Sequence, residues 1–261
     1  MTSLGIPTVQ RFSFDQMLMI AEGLDPNRFC VHKFGANADV GGTAEVIWTP
    51  GSTYPWPEAA ETVRVKAGGN AADTAAGAGA QEITIQGLDE NWELVEEAVE
   101  TAGASASAAT TATFIRVFRA FVSRVGAYGA ANTGAINIEN TTSTNVIANI
   151  GAALGQTEMA LYTIPAGYKG YLTSIEATVD TNQSADLRFW QRPNADDVVT
   201  PFSGAARLVT RFLALATAAN RNLKAPIEFA PKTDIWVDGI SGGASSVVAA
   251  SFDLVLVKQA S

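Results

Sequence analysis

The sequence predicts an all-β protein with two antiparallel domains of the β-sandwich or jelly-roll type, preceded by a short helical arm. Three observations predict this class. Short runs that alternate apolar and polar residues recur about every 10 residues, turns rich in Gly, Pro and Asn separate them, and one early segment alone has helical periodicity. Strands and helices do not alternate along the chain, which makes a nucleotide-binding α/β fold improbable.

The arm is predicted over residues 1–29. Ser13 and Gln16 form a capping-box pair, and Gly23 lies where a helix stop belongs, so a helix is expected over residues 14–22. Its apolar side chains exceed what one short helix needs, which makes them candidate protein-interaction residues: Phe12, Phe14, Met17 and Leu18. Two interpretations stay open, because the helix can cover the edge of its own domain or dock on another subunit.

The first β domain is predicted over residues 30–127, and residues 68–80, an Ala/Gly tract, are expected to form a surface loop. Two of its runs also fit a helical stripe, but aromatic and β-branched residues and neighbouring hairpins favour strands there. The predicted strands are residues 62–66, 81–86, 92–101 and 113–125.

The second β domain is predicted over residues 128–261, after a Gly/Ala/Asn linker at residues 126–134. Its last strand alternates most clearly, with Phe252, Leu254 and Leu256 on the face expected to be core. The predicted strands are residues 135–139, 145–150, 158–164, 168–180, 186–192, 207–215, 226–229, 234–238 and 246–257.

Composition limits the classes of partner. Of 261 residues, 47% are hydrophobic and 16% are charged, against roughly 25% charged in a typical soluble domain. A surface so poor in charge is typical of proteins that neighbours partly cover. The net charge of −9 argues against a nucleic-acid partner, since phosphate contacts require many Lys and Arg residues.

Apolar runs and cysteine usage limit the compartment. Apolar runs fall short of the 18 or so residues of a transmembrane helix, and the N-terminus lacks the features of a signal peptide, so no membrane partner is expected. Cys30 is the only cysteine and His32 the only histidine, which excludes disulfides and most zinc sites. We therefore expect no metal and no cofactor, in a protein assembled inside a cell.

Candidate chemistry is sparse. Cys30 and His32 would share one face of a strand, but no third group orients the imidazole, so we interpret them as a buried thiol beside a hydrogen-bonded histidine. The segment at residues 239–243 matches the GxSxG pattern of serine hydrolases, yet no histidine follows Ser241. We expect a glycine-rich turn there.

Charged clusters favour structural roles. The acidic run at residues 89–100 lacks the order of a calcium loop, so it is expected to form a solvated strand face or a contact surface. A pair of glycosidase carboxylates, which need not be close in sequence, stays open. Arg116, Arg119 and Arg124 are expected to be salt-bridged or interfacial.

Four segments together resemble a virion structural protein family of marine tailed bacteriophages: KFGANADVGGTAEVIW followed by YPWP (residues 33–57), AADTAAGAGAQEITIQGLDENW (71–92), GQTEMALYTIPAGYKGYLTS (155–174) and SFDLVLV (251–257). The resemblance covers residues 32–257. It implies a non-enzymatic particle component with two β-rich domains that associates with itself, and it supplies no catalytic residues. The arm at residues 1–29 is longer than the family leads us to expect.

Three functional classes follow from the resemblance and the composition. The first is a decoration or cement protein on the capsid exterior, a homotrimer bound to the major capsid protein. The second is a neck or tail component, such as a fibre or an adaptor. The third is a carbohydrate-binding or carbohydrate-cleaving β-sandwich, in which tryptophans stack on sugar rings; the candidates are Trp48, Trp56, Trp92 and Trp190.

Overall fold

The structure, a computed structural model, describes residues 13–68, 70–180, 182–243 and 245–259. Within these residues the chain is all-β with antiparallel pairing, apart from one N-terminal helix, which confirms the predicted fold class. The helix α1 spans Ser13–Ala21, and the first strands are β1 (Arg28–Val40), β2 (Glu45–Val46), β3 (Glu61–Ala67), β4 (Ala80–Leu88), β5 (Leu94–Glu100), β6 (Thr113–Phe114), β7 (Arg116–Val125) and β8 (Ile136–Asn140). The others are β9 (Val146–Ile150), β10 (Leu161–Thr163), β11 (Tyr168–Val179), β12 (Ala185–Arg192), β13 (Arg207–Leu215), β14 (Ala218–Phe229), β15 (Asp234–Ser241) and β16 (Ser246–Lys258).

The helix ends as the sequence predicts. Gly23 has a φ of +72°, and its N–H donates to the carbonyl of Ile20 while the N–H of Leu24 donates to Met19. This is the Schellman pattern, in which a glycine in the left-handed conformation closes the last turn. The helix packs against β1 and buries Ile20.

The strands form an outer sheet, a central sheet and two smaller sheets. The outer sheet has the order β1-β16-β11-β14, and the central sheet has the order β10-β15-β12-β13 with β2 added beside β15. The smaller sheets have the orders β6-β3-β8-β9 and β5-β4-β7.

The central sheet has a hydrophobic core on each face. Along β10, Leu161 belongs to one core and the next residue, Tyr162, to the other. On β15, Ile235 and Val237 enter the core shared with the outer sheet, and Trp236 packs on the core shared with the smaller sheets. Because successive side chains of a strand point to opposite faces, the central sheet is the middle of three layers. A third, smaller cluster of buried residues contains Leu88, Trp92, Ile115 and Ala195.

Strand pairing crosses the boundary predicted between residues 127 and 128. From the first half, β1 pairs along β16, with Arg28 opposite Val257; from the second half, β8 pairs with β3, with Ile138 opposite Val65. A division of the sheets at the linker is therefore wrong. Local alternation locates a strand but carries no information about its partner, and these partners are distant in the chain.

The Ala/Gly tract at residues 68–80 is packed more closely than a surface loop. Asp73 is fully buried, and its carboxylate accepts hydrogen bonds from the N–H groups of Ala80, Thr133 and Gly134 at 2.8–3.0 Å. This carboxylate ties the tract to the linker at residues 126–134, which the sequence alone did not indicate.

Most predicted strands are present within one or two residues of their expected bounds. The two ambiguous runs at residues 92–101 and 113–125 are strands, as predicted. The main differences are two. β1, a 13-residue strand, was not among the predicted strands and begins at Arg28, within the residues assigned to the arm, and β14 begins at Ala218 rather than at residue 226. Residues 218–222 pair with β11 although they do not alternate in polarity, since both of their faces are largely exposed.

A close backbone crossing between distant parts of the chain lies at Gly35 in β1. A Cβ atom there would overlap the backbone nitrogen of Ala160 and the carbonyl oxygen of Ile47. Gly35→Ala is therefore expected to lower the free energy of unfolding by roughly 2 kcal/mol or more, as measured by urea denaturation. The matched control is Gly42→Ala, because a Cβ atom at Gly42 would meet no atom. If the two variants were equally stable, the close approach of the backbones at Gly35 would be contradicted.

Candidate functional site

Cys30 and His32 lie on β1 and are exposed. The expectation of a buried thiol is therefore wrong: β1 is an edge strand of the outer sheet, and its first residues project beyond the core. Partial burial, followed by the charge of Asp253, raises the pKa of the Cys30 thiol. A raised pKa lowers the thiolate fraction, so the thiol is a poorer nucleophile than an ordinary cysteine.

His32 belongs to a serine–aspartate–histidine group that the sequence did not reveal. The Nδ1 atom of His32 lies 2.6 Å from one carboxylate oxygen of Asp253, and the Ser174 hydroxyl donates to the other oxygen at 2.5 Å. The carboxylate therefore stands between the serine and the imidazole. A catalytic triad requires the imidazole to accept the serine proton, so this arrangement does not activate Ser174.

The GxSxG segment ends β15 and begins the connection to β16. Ser241 is the last residue of β15, and β16 begins at Ser246. The two strands belong to different sheets, so the connection does not close a hairpin. The chain passes from strand to strand here, whereas such a nucleophile requires a strand-to-helix elbow.

A groove of about 400 Å³ lies between the first half of β1 and β5. Its lining includes Phe29, Lys33, Leu94, Phe118 and Tyr162. Lys33 is buried and its ammonium donates to the carbonyl oxygen of Phe118. Burial, followed by the charge of Arg119, lowers the pKa of Lys33 to about 7. The groove is the one place among the described residues where an amine of this pKa adjoins an open cavity.

The most buried charged group joins the central sheet to β7. Asp234 is completely buried and accepts hydrogen bonds from Arg116 at 3.0 and 3.1 Å, from Thr163 at 2.6 Å and from Arg192 at 3.1 Å. Arg116, itself 2% exposed, also donates to the carbonyl oxygen of Pro57 at 2.5 Å. We call Asp234, Arg116, Arg192 and Thr163 the Asp234 node.

Tryptophan rings surround the Asp234 node. Trp56 contacts Trp236 and lies under the guanidinium groups of Arg116 and Arg192, with cation–centroid distances of 5.4 and 5.0 Å. Trp190 stacks on Trp236, and Trp48 and Trp92 are buried. These rings pack against the protein itself, which is the arrangement of a core rather than of a sugar platform.

The predicted acidic run is partly used within the fold. Glu97 accepts hydrogen bonds from the N–H groups of Thr111 and Ala112, and Glu100 pairs with Arg124. Of the three arginines of β7, Arg116 and Arg124 are ion-paired, as expected, whereas Arg119 forms no ion pair with a described residue and donates to Gln156 at 3.2 Å. Glu90 and Glu93 form no ion pair within the described chain and are exposed.

Three of the four predicted interaction residues lie within the described part of the chain. Phe12 lies outside the described residues, and Phe14 belongs to α1. Met17 and Leu18 are 38% and 48% exposed, and Leu24 follows them at 63%. The helix thus has one apolar face on β1, through Ile20, and a second apolar surface in solvent.

The segment made of β13, the turn after it and β14 is an exposed surface that sequence reasoning missed. Leu208 and Leu213 are exposed on β13, and the preceding loop exposes Val199 and Phe202. Residues 207–227 contain four cations and no Asp or Glu: Arg207, Arg211, Arg221 and Lys224. A local count of charge would have found this contrast with the acidic chain.

Two further findings concern the residues described. Across residues 13–68, 70–180, 182–243 and 245–259, no group of three or more His, Cys, Asp or Glu side chains is placed to hold a metal ion. In the same part of the chain, no helix is long and apolar enough to cross a membrane.

Comparison with known proteins yields weak structural likenesses. No protein-family model and no curated protein matches the chain. A structure of infectious bursal disease virus, strain Gx, is 9% identical, with a TM-score of 0.26 over 88% of this chain and 72% of that chain. T=1 particles derived from infectious bursal virus are also 9% identical, with a TM-score of 0.20 over 90% of this chain and 74% of that chain. Likenesses at these TM-scores do not establish a common fold.

Lys33 should make stability depend on pH. Because its pKa in the folded protein is about 7 against an ordinary value of 10.5, the unfolded chain binds more protons between these values. The free energy of unfolding should therefore rise with pH across that window. In Lys33→Met the rise should shrink by on the order of 3 kcal/mol, measured by urea denaturation at pH 6, 8 and 10. Lys66→Met, at an exposed lysine of β3, is the control and should keep the wild-type profile.

Asp234→Asn should destabilise the protein strongly, since it leaves the buried guanidinium of Arg116 without a counter-charge. The expected loss is about 3–5 kcal/mol in the free energy of unfolding, measured by urea denaturation. Asp238→Asn in the same strand removes the more accessible pair with Arg188 and should cost about 1 kcal/mol. If the two variants lose equal stability, Asp234 has no special role.

Proposed function

We propose that this protein is a non-enzymatic structural component of a tailed-phage virion, a decoration or cement protein on the capsid exterior. It binds the major capsid protein and associates with itself, as a trimer, after assembly in the host cytoplasm. The assignment to a virion rests on the sequence segments between residues 32 and 257. It requires no nucleic acid, membrane, cofactor or metal.

The state of the reactive side chains is the observation that favours a binding role over a catalytic role. Asp253 separates Ser174 from His32, the thiol pKa of Cys30 is raised, and the buried carboxylate of Asp234 is held in ion pairs with Arg116 and Arg192. The exposed features are instead apolar side chains and unpaired strand edges, which serve association.

The arm is proposed as the capsid anchor. Ile20 holds α1 on the body of the protein, while Met17 and Leu18 remain available to another surface. Apolar side chains exposed on a helix fit a hydrophobic groove of a partner. In a trimer, three such arms would act together, so a weak contact would become durable through avidity.

The two alternative functional classes differ in the partner that the exposed surfaces bind. A neck or tail component would use the same arm and strand edges against a different virion protein. A carbohydrate-binding role would need exposed tryptophan faces, whereas Trp56, Trp190 and Trp236 contact one another or arginines. The contacts of these rings favour the first two classes.

Deleting residues 1–22 should abolish binding to purified phage heads that lack this protein, while circular dichroism still reports a β-sheet protein. Co-sedimentation with the heads measures the binding. The finer variant Met17→Ser/Leu18→Ser should weaken binding about tenfold or more, because it removes the exposed apolar surface of α1. Leu154→Ser, at a similarly exposed apolar residue elsewhere, is the control and should bind as wild type.

Full occupancy of heads by the deletion variant would show that the arm is not the anchor. Immunogold labelling of whole virions tests the location. Label confined to the neck or tail would replace the decoration role with the tail-component role, and label absent from virions would refute the proposal.

A further inference from the structure

The first of two opposite surfaces is residues 207–227, which comprise β13, the turn after it and most of β14. We call it the basic hairpin for the path of the chain, although its two strands belong to different sheets and do not pair. It carries four positive charges and no carboxylate in a chain of net charge −9. Arg221 donates to the Thr210 hydroxyl and lies over the Phe212 ring. The other three cations form no ion pair with any described residue: Arg207, Arg211 and Lys224.

The basic hairpin consists of two edge strands. β13 ends the central sheet, and β14 ends the outer sheet. An edge strand presents unpaired N–H and C=O groups that a second chain can satisfy. Leu208 and Leu213 add exposed apolar surface, Leu213 at 58%. The hairpin therefore combines the charge, the apolar area and the open backbone of a docking element.

The second surface is the acidic edge, defined as residues 89–100, which comprise a turn and β5. The sequence contains no Lys or Arg between Lys66 and Arg116. Glu90, Glu93 and Glu96 are exposed here without an ion pair among the described residues, and Leu94 between them is 51% exposed. β5 is the edge strand of its sheet and lines the groove beside β1.

The two surfaces lie on opposite sides of the protein. In the outer sheet, β1 and β14 are the two terminal strands. The acidic edge adjoins β1 across the groove, and the basic hairpin contains β14. One chain cannot bring its own hairpin to its own acidic edge, but a second copy in head-to-tail orientation can. Such a heterologous contact closes into a ring or continues as a filament.

We propose that the basic hairpin of one copy docks on the acidic edge of the next copy. Arg211 and Lys224 face Glu93 and Glu96, and the exposed leucines of the two surfaces cover one another. This contact specifies how the copies associate in the proposed function. Its place in a virus particle rests on that proposed function.

Cations near the acidic edge do not cancel its charge. The groove beside it also contains Lys33, His32 and Arg119. Lys33 is buried against the Phe118 carbonyl, His32 is paired with Asp253, and Arg119 lies over Phe121 and donates to Gln156. Each of these cations therefore has a partner within the chain, whereas the carboxylates of Glu90 and Glu93 form no ion pair with any residue that the structure describes.

The test is a charge swap in the full chain, followed by sedimentation velocity at low salt. Arg211→Glu/Lys224→Glu and, separately, Glu93→Lys/Glu96→Lys should each raise the dissociation constant for self-association about 100-fold, because like charges then face each other. The variant with all four substitutions should associate as wild type, since the charges are opposite again. Added NaCl should weaken wild-type association, as it screens exposed charges.

Matched controls are Arg28→Glu, which changes a cation outside both surfaces, and circular dichroism of every variant. The proposal is wrong if the wild-type protein is monomeric at its highest soluble concentration, if either double variant associates as wild type, or if the fourfold variant fails to recover while still folded. Binding of a DNA duplex that Arg211→Glu/Lys224→Glu abolishes, with no self-association, would instead identify a phosphate-binding hairpin. Because these measurements use the purified chain alone, their failure leaves the capsid-binding test of the proposed function standing.

Discussion

The buried carboxylate of Asp234 fixes the central sheet against β7 of a smaller sheet. In strand order it stands opposite Thr163 of β10 on one side and Arg192 of β12 on the other, and Arg116 reaches it from β7. A fully buried carboxylate is costly unless charges and hydrogen bonds compensate it, so every partner must be in place together. The central sheet and β7 cannot slide past one another without leaving a charge unpaired in the interior.

The packing of the central sheet follows from the same constraint. β10 is only three residues long, yet Leu161 and Tyr162 enter different cores while Thr163 bonds to Asp234. The strand therefore serves both cores and the node at once. Trp56 lies under the arginines of the node and contacts Trp236, so large apolar rings cover one side of the node.

Local sequence patterns predicted the strands well, because alternation of apolar residues is a property of each segment alone. Ile83 and Ile85, or Phe252 and Leu254, indicate a buried face without reference to any partner. Pairing between β1 and β16 depends on residues more than 200 positions apart, such as Arg28 and Val257, and no local pattern encodes it. The same limit hid the Ser174–Asp253–His32 group and the partners of Asp73.

The candidate functional residues, too, were only partly predictable from the sequence. The apolar residues of the arm and the acidic run were evident in the sequence, as was the absence of a complete catalytic set. The basic hairpin was not recognised, because its importance lies in two edge strands, β13 and β14, that end different sheets. The low pKa of Lys33 was equally hidden, since it results from burial by residues such as Phe118 that are distant in the chain.

Hydrogen–deuterium exchange under native conditions tests most directly whether the Asp234 node makes the central sheet and the sheet of β7 one cooperative unit. The account predicts that the slowest amides of β4 and β7, in a smaller sheet, and of β12 and β15, in the central sheet, exchange with the same free energy of opening, equal to the free energy of global unfolding. Exchange of β4 and β7 through a separate, lower-energy opening that leaves β12 and β15 protected would contradict it.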